Sequence, residues 1–278
     1  MRVQLCGVRG STPSSGAAFR AVGGHTSCVA VAHDDCVPSL VLDAGSGIRE
    51  VTPLLLGQPF SGSIVLSHLH WDHMMGLPFF GGADRPGSVV ELLVPSQGES
   101  AFDLISRAMS PPLFPITPAK LRGEWQFGGY EESTFERDGF VITAREIPHS
   151  AGRTMGLRVS DGRHSLAYLP DHAPHLIGPG AHGVGELHPA AVELAMGVDL
   201  LLHDAQYTRS ELPDRFAWGH AAADYSAELA AHCGVGQLLM IHHDPSRTDI
   251  AVSELRDQIA ANSKVSIDIG VEGAVYQL

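Results

Sequence analysis

A chain of 278 residues with 44% hydrophobic side chains can bury a substantial core, and residues 1–278 read as one α/β domain. A formal net charge of −13 argues against a general nucleic-acid binder, which needs a basic face against phosphates. The opening Met1–Gly10 holds no apolar signal core, no run approaches a membrane span, and Cys6, Cys28, Cys36 and Cys233 include no Cys-x-x-Cys pair, so a reduced cytoplasmic protein without a membrane anchor is expected.

In chain order, Val3–Gly7 reads as a strand, Gly10–Gly24 as a Gly/Ser/Pro-rich loop, and Ser27–Ala32 and Leu40–Asp43 as strands joined by the polar turn His33-Asp34-Asp35. Asp43-Ala-Gly-Ser-Gly47 turns into a helix running to about Leu56, with Ser46 as its candidate cap. This turn lacks the lysine and spacing of a phosphate loop. Asp43, at the end of a buried strand, is placed to orient a metal-binding histidine from behind. Ile64–Leu66 is a short buried strand, Val89–Val94 another, and Ser100–Met109 a helix. Pro111–Ile116 carries too many prolines for regular structure and is either a packed connector or one wall of a substrate pocket. Glu124–Phe127, Thr134–Arg137 and Val141–Ile147 follow as strands. Gly156–Ser160 and Ser165–Leu169 then form a hairpin around an Asp161-Gly162 two-residue turn. Gly178–Gly185 is a glycine-rich loop. Helices are expected at Pro189–Met196, Ala221–His232 and Ile250–Ala261, and strands at Leu200–Leu202, Leu238–Ile241, Val265–Ile269 and Ala274–Leu278. Strands followed by helices, twice over, suggest two mixed β-sheets with helices on their outer faces, a four-layer αββα sandwich.

The densest chemistry lies at Ser67–Gly76, where His68, His70, Asp72 and His73 fall within six positions directly after an apolar strand. Alternation puts His68 and His70 on one side, while Asp72 and His73 sit on the turn into a helix and face a second point. Two neighbouring ions suit that geometry better than one. Imidazole with carboxylate favours zinc and tolerates manganese, iron or cobalt. Four later strand-like runs also end in a histidine or aspartate: Ile147-Pro-His149, Tyr168-Leu-Pro-Asp171, Leu202-His203-Asp204 and Ile241-His242-His243-Asp244. Ligands at strand ends converge if those ends share one edge of their sheets.

The His-x-His-x-Asp-His arrangement resembles the signature of the metallo-β-lactamase fold superfamily, mostly dinuclear metallohydrolases. The resemblance implies that His149 and Asp171 complete a first site with His68 and His70. It implies that Asp72, His73 and His242 form a second, bridged to the first by Asp171. His242 is preferred to His243 because it follows the strand directly. The blocks His203-Asp-Ala-Gln-Tyr207 and Trp218-Gly-His-Ala221 are similar to blocks of the ribonuclease Z and phosphodiesterase branch, as are Arg9–Pro13, Gly23–Cys28 and Leu42–Gly45. The branch's compact cyclic-phosphodiesterase group is closest in layout. It implies His220 as general acid oriented by Asp204, and Asp72 as holder of the attacking hydroxide's hydrogen. Ala221 replaces an expected serine, Asp204 a glutamate, and His25 what is often asparagine, which leaves the environment of the acid and the substrate open.

The expected cofactors are two divalent ions, zinc first, and the expected substrate is a small cyclic or nucleotide phosphodiester. Transfer-RNA-processing relatives insert a basic arm between the residues matching His149 and Asp171. Here 21 residues separate them, which argues against transfer RNA. Relatives are often homodimers. The alternatives are a lactone, ester or thioester hydrolase of the same fold and a non-catalytic metal-binding accessory protein. Roles for His25, His243 and Asp244 in the substrate pocket stay open.

Overall fold

The computed structural model describes residues 1–150, 152–261 and 263–278. In chain order the strands are β1 (Arg2–Gly7), β2 (Cys28–Ala32), β3 (Leu40–Leu42), β4 (Ser61–Val65), β5 (Val89–Pro95), β6 (Glu124–Tyr130), β7 (Ser133–Arg137), β8 (Phe140–Glu146), β9 (Met155–Ser160), β10 (Ser165–Leu169), β11 (Leu200–Asp204), β12 (Gln237–Ile241), β13 (Ser266–Ile269) and β14 (Val275–Gln277). The α-helices are α1 (Val51–Leu54), α2 (Trp71–Met74), α3 (Ala101–Ala108), α4 (Pro189–Ala195), α5 (Leu212–Arg215), α6 (Ala223–Cys233) and α7 (Asp249–Ala260). The strands form two seven-stranded sheets, ordered β14-β1-β2-β3-β4-β5-β6 and β13-β12-β11-β10-β9-β8-β7.

Burial makes this a four-layer αββα stack, as the element order suggested. On β2 and β3 the side chains alternate. Val29, Val31, Leu40 and Leu42 join the core shared with the second sheet, while Cys28, Ala30 and Val41 join Ile48, Val51 and Phe80 on the outer face. The second sheet carries α4, α6 and α7 on its outer side, where Leu194, Leu229 and Val252 are buried against it. Both faces of each sheet are therefore covered, which is why the central strands β2, β3, β10 and β11 are buried along their whole length.

Strand direction decides where the site forms. β10, β11 and β12 run parallel, and β8 and β10 are both antiparallel to β9, so β8 shares their direction. In the first sheet β3 to β6 are parallel. The residues after β4, β8, β10 and β12, and the last residue of β11, thus emerge at carboxyl edges, where open α/β sheets place their ligands.

Several local expectations are corrected. Ser46 is not a helix cap: its hydroxyl accepts the Thr26 N–H at 3.0 Å, and the Thr26 hydroxyl accepts the Ser46 N–H at 2.8 Å. The helix expected to Leu56 is a 3-10 turn, Ser46–Glu50, followed by the single turn α1, which contains Pro53. The β9–β10 connection spans four residues, because Ser160 pairs with Ser165, and the Asp161 carboxylate accepts the N–H groups of Arg163 and His164. Helix α6 starts at Ala223, so His220 sits in the loop ahead of it rather than at a helix start. No helix among the described residues is long and apolar enough to cross a membrane.

Candidate metal centre

Two sets of ring nitrogens converge on Asp171, which follows β10 and is fully buried. Its Oδ2 lies 3.7 Å from His68 Nε2 and 3.4 Å from His149 Nε2. His149 Nε2 is in turn 3.3 Å from His70 Nδ1. Oδ1 faces the other way, 3.0 Å from His73 Nε2 and 3.2 Å from His242 Nε2. Those two nitrogens stand 3.3 and 3.2 Å from Asp72 Oδ2. Ligand atoms of His68, His70, His149 and Asp171 lie within 4.8 Å of one another, as do those of Asp72, His73 and His242. The structure thus brings together every residue of the two expected sets, with Asp171 between them.

The donor set fits divalent cations. His68 Nε2 and both Asp171 oxygens are buried without a hydrogen-bond partner. Native interiors rarely tolerate such orphans, and all three atoms point into the convergence. Electrostatics agree. Burial holds His68 and His70 below the ordinary imidazole range and His149 at about 4, so these rings are neutral, as ligands must be. Burial would also lower His73 and His242, but the surrounding carboxylates, Asp171 foremost, raise both. Burial by itself would raise Asp171 and Asp72. The neighbouring histidines outweigh it and keep both carboxyls ionised.

Hydrogen bonds from behind fix the rings. The Asp43 carboxylate accepts His73 Nδ1–H at 2.7 Å, the Ser67 N–H at 2.6 Å, the Ser67 hydroxyl at 2.8 Å and the Tyr168 hydroxyl at 2.8 Å. Ser67 Oγ lies 3.1 Å from His68 Nδ1. Gly219 O accepts His149 Nδ1–H at 2.5 Å, and Gln206 Oε1 accepts His242 Nδ1–H at 2.9 Å. The Ser11 N–H donates to Asp72 Oδ2 at 2.7 Å. Asp43 and His242 are non-glycine residues at φ 58° and 57°, a left-handed strain that clusters at functional sites. Gly10 is required where it stands, since a Cβ there would lie 2.4 Å from His242 Nδ1.

His220 lines the same cavity of about 410 Å³, together with Ser11, Trp71, Trp218 and several of the metal-competent residues. Its Nδ1–H donates to Asp204 Oδ2 at 3.0 Å, and Nδ1 stands 3.7 Å from Asp171 Oδ2. Asp204 is itself held by N–H groups of His172, Gln206 and Ala221. His243 lies outside the site: its Nε2–H donates to Gly270 O at 3.2 Å, and burial with Arg9 nearby pushes it down to about 3. Asp244 acts at one remove. It binds Arg215 at 3.1 Å, and that guanidinium stacks over Trp218 in the cavity wall. His25 meets Ser46, Glu50 and Glu272 and touches no metal-competent group. Ser11, Ser67, Gln206 and Gly219 were not singled out by the sequence reading, although all four sit inside the stretches it quoted.

Residues 35–243 match the family described as the beta-lactamase superfamily domain, and the chain belongs to that family. It is similar to a ribonuclease Z of Synechococcus sp. (strain CC9605), 26% identical over 223 residues, covering 66% of this chain and 69% of the relative. It is also similar to an uncharacterized protein of Mycobacterium tuberculosis (strain ATCC 25618 / H37Rv), 28% identical over 271 residues, covering 92% and 86%. Among solved structures, a diphosphatase from the PhnP family superposes with a TM-score of 0.73 at 16% identity, covering 100% of this chain and 97% of that one. The two-sheet fold is that of the metallo-β-lactamase fold protein YhfI from Bacillus subtilis, which superposes with a TM-score of 0.71 at 18% identity, covering 99% of this chain and 98% of that one.

Proposed function

We propose that this chain is a dinuclear metallohydrolase that cleaves a small phosphodiester, with His68, His70, His149 and Asp171 holding one divalent ion and Asp72, His73, His242 and Asp171 the other. Zinc suits these imidazole and carboxylate donors, with manganese or iron as alternatives. When bound, such a pair lowers the pKa of a water and neutralises charge on the phosphoryl oxygens.

The protein's own groups do the rest. Asp171 orients both ligand sets through opposite oxygens. Asp72, fixed by the Ser11 N–H, accepts a hydrogen bond from the attacking water. Asp204 holds His220 through Nδ1, leaving Nε2 as the ring atom that delivers a proton to the departing alkoxide. The water oxygen bonds to phosphorus as the bond to the leaving oxygen breaks. One observation carries the phosphodiester reading over a carbon-ester one. His220, held from behind by Asp204, stands beside the Asp171 carboxylate in the wall of the cavity that residues of both sets line. It supplies an acid for a poor leaving group, and the likeness to a ribonuclease Z and to a PhnP-family diphosphatase supports it.

A small substrate rather than transfer RNA is proposed because the β9–β10 hairpin occupies the stretch between His149 and Asp171 and the net charge is −13. The test is a metal-reconstituted screen of cyclic and linear nucleotide phosphodiesters, bis-nitrophenyl phosphate, lactones, thioesters and precursor transfer RNA. Phosphodiester turnover that falls roughly 10²–10⁴-fold in His220→Ala, with metal content unchanged, supports the proposal. Faster lactone or thioester turnover, indifferent to His220, overturns it.

A further inference from the structure

Trp71 stands between two cavities. It lines the metal cavity and also a cleft of about 220 Å³ whose remaining wall includes Met74, Ile105, Met109, Leu113 and Phe114. Apart from the Trp71 indole N–H, no side chain lining this cleft can make a conventional hydrogen bond. A shallower apolar strip, in which Leu69 joins Trp71, Met74 and Leu113, runs from the metal cavity along the rim of the cleft. Its one charged member, Arg107, is tied to Glu99. Trp71 and Leu113 are each 73% exposed, so large apolar side chains meet water beside the reacting centre.

We propose that this cleft seats a hydrocarbon substituent of the substrate, so that the enzyme prefers phosphodiesters bearing an alkyl chain. The inference rests on the phosphodiester reading above and names the substrate class of that site. Position comes first: Trp71 is the residue between His70 and Asp72, and it lines both cavities. Chemistry is the second. A nucleobase pushed into the cleft would lose water from its amide and amino edges and find no side-chain partner, a cost that an alkyl chain does not carry. The Met-rich lining also adapts to chains of differing shape.

The experiment compares methyl, butyl and hexyl 4-nitrophenyl phosphodiesters, which share one leaving group, on the zinc-loaded enzyme. Water oxygen joins phosphorus and nitrophenolate leaves in every case. The expected kcat/KM rises about threefold to fourfold per buried methylene. Ala108→Phe, which fills the cleft from α3, flattens the series without slowing the methyl ester. Leu113→Asn, at an exposed wall position, reduces the slope. Calorimetry with methyl, butyl and hexyl phosphonates gives the same ordering without turnover. If no ester is cleaved but phosphonate affinity still rises with chain length and falls in Ala108→Phe, the hydrolysis reading fails and the cleft assignment survives. A flat series in both assays overturns the inference. So does a slope that Ala108→Phe leaves intact, or sedimentation showing that two copies bury the cleft against each other.

Discussion

Asp43→Asn is the sharpest probe of how the centre is held. The substitution keeps the volume and tolerates the left-handed backbone at φ 58°, so it isolates hydrogen bonding. The native carboxylate accepts four donors: His73 Nδ1–H, the Ser67 N–H, the Ser67 hydroxyl and the Tyr168 hydroxyl. An amide can accept at only one of its two atoms. If the amide nitrogen faces Ser67 N, two donors oppose each other where 2.6 Å now separates acceptor and donor. If it faces His73, the ring must present an unprotonated Nδ1 and place its proton on Nε2, the atom aimed at Asp171 and Asp72. The backbone donor of Ser67 cannot turn away, so the second arrangement prevails; it damages the second ion site directly, and the first site more weakly, through Ser67 and His68. Loss of an orienting partner of this kind costs roughly 10–100-fold in metal affinity, about 1.4–2.7 kcal/mol. Chelator competition with zinc should show one equivalent shifted by that factor and the other by less. Tyr168→Phe, which removes one donor and leaves the carboxylate, should change neither by more than about threefold. A folded Asp43→Asn protein binding both ions within twofold of the parent would falsify this account of how the rings are fixed.

Three further outcomes follow from the same geometry. Asp171→Asn should lose both ions and activity together in metal analysis of the purified protein, because one carboxylate faces both ligand sets; loss of a single ion would show that it does not bridge. Metal loading should depend on pH differently at the two sites. Burial keeps His149 at about 4 and holds His68 and His70 below the ordinary imidazole range, so the first set carries no competing proton near neutral pH, whereas His73 and His242 are raised by the carboxylates around them. A raised imidazole keeps its proton until pH climbs through its folded pKa, so filling the second site must release protons and its affinity must fall as pH drops. Isothermal titration in buffers of different ionisation enthalpy reads this, and proton release confined to the first equivalent would contradict it. Gly10→Ala should weaken the second site while sparing the first, since the added methyl meets His242 Nδ1 and Gln206 Oε1.

The convergence of these seven side chains was legible because its logic is local. Each of them ends or closely follows a run apolar enough to be read as a strand, and parallel neighbours bring such ends to one edge whatever the intervening loops do. The layer order was legible for a similar reason: fully buried strands and amphipathic helices differ in period. Short elements were not. The 3-10 turn Ser46–Glu50 and the single turn α1 are too short to carry a periodicity that tells them from one helix, and Ser46 has the composition of a cap but a nearer partner in Thr26, some twenty positions back in the chain. A cap is a contact within five residues, whereas this pairing exists only once β2 and β3 are side by side.

His242 and Asp43 show where sequence pattern stops and three-dimensional constraint begins. Both follow buried strands, and both turn into the left-handed region without a glycine to mark it. Position after the strand was enough to favour His242 over His243, and the reason only His242 reaches the cluster is conformational. At φ 57° the chain breaks from strand geometry, so His242 faces Asp72 and Asp171 while His243 returns to Gly270 O in the interior. That conformation costs of order 1–3 kcal/mol, and the hydrogen bond to Gln206 and the approach of Gly10 hold it in place. The Arg9–Pro13 and His203–Tyr207 blocks therefore matter through what they press against. Gly10 and Gln206 grip one strained ring, and Ser11 grips the carboxylate beside it.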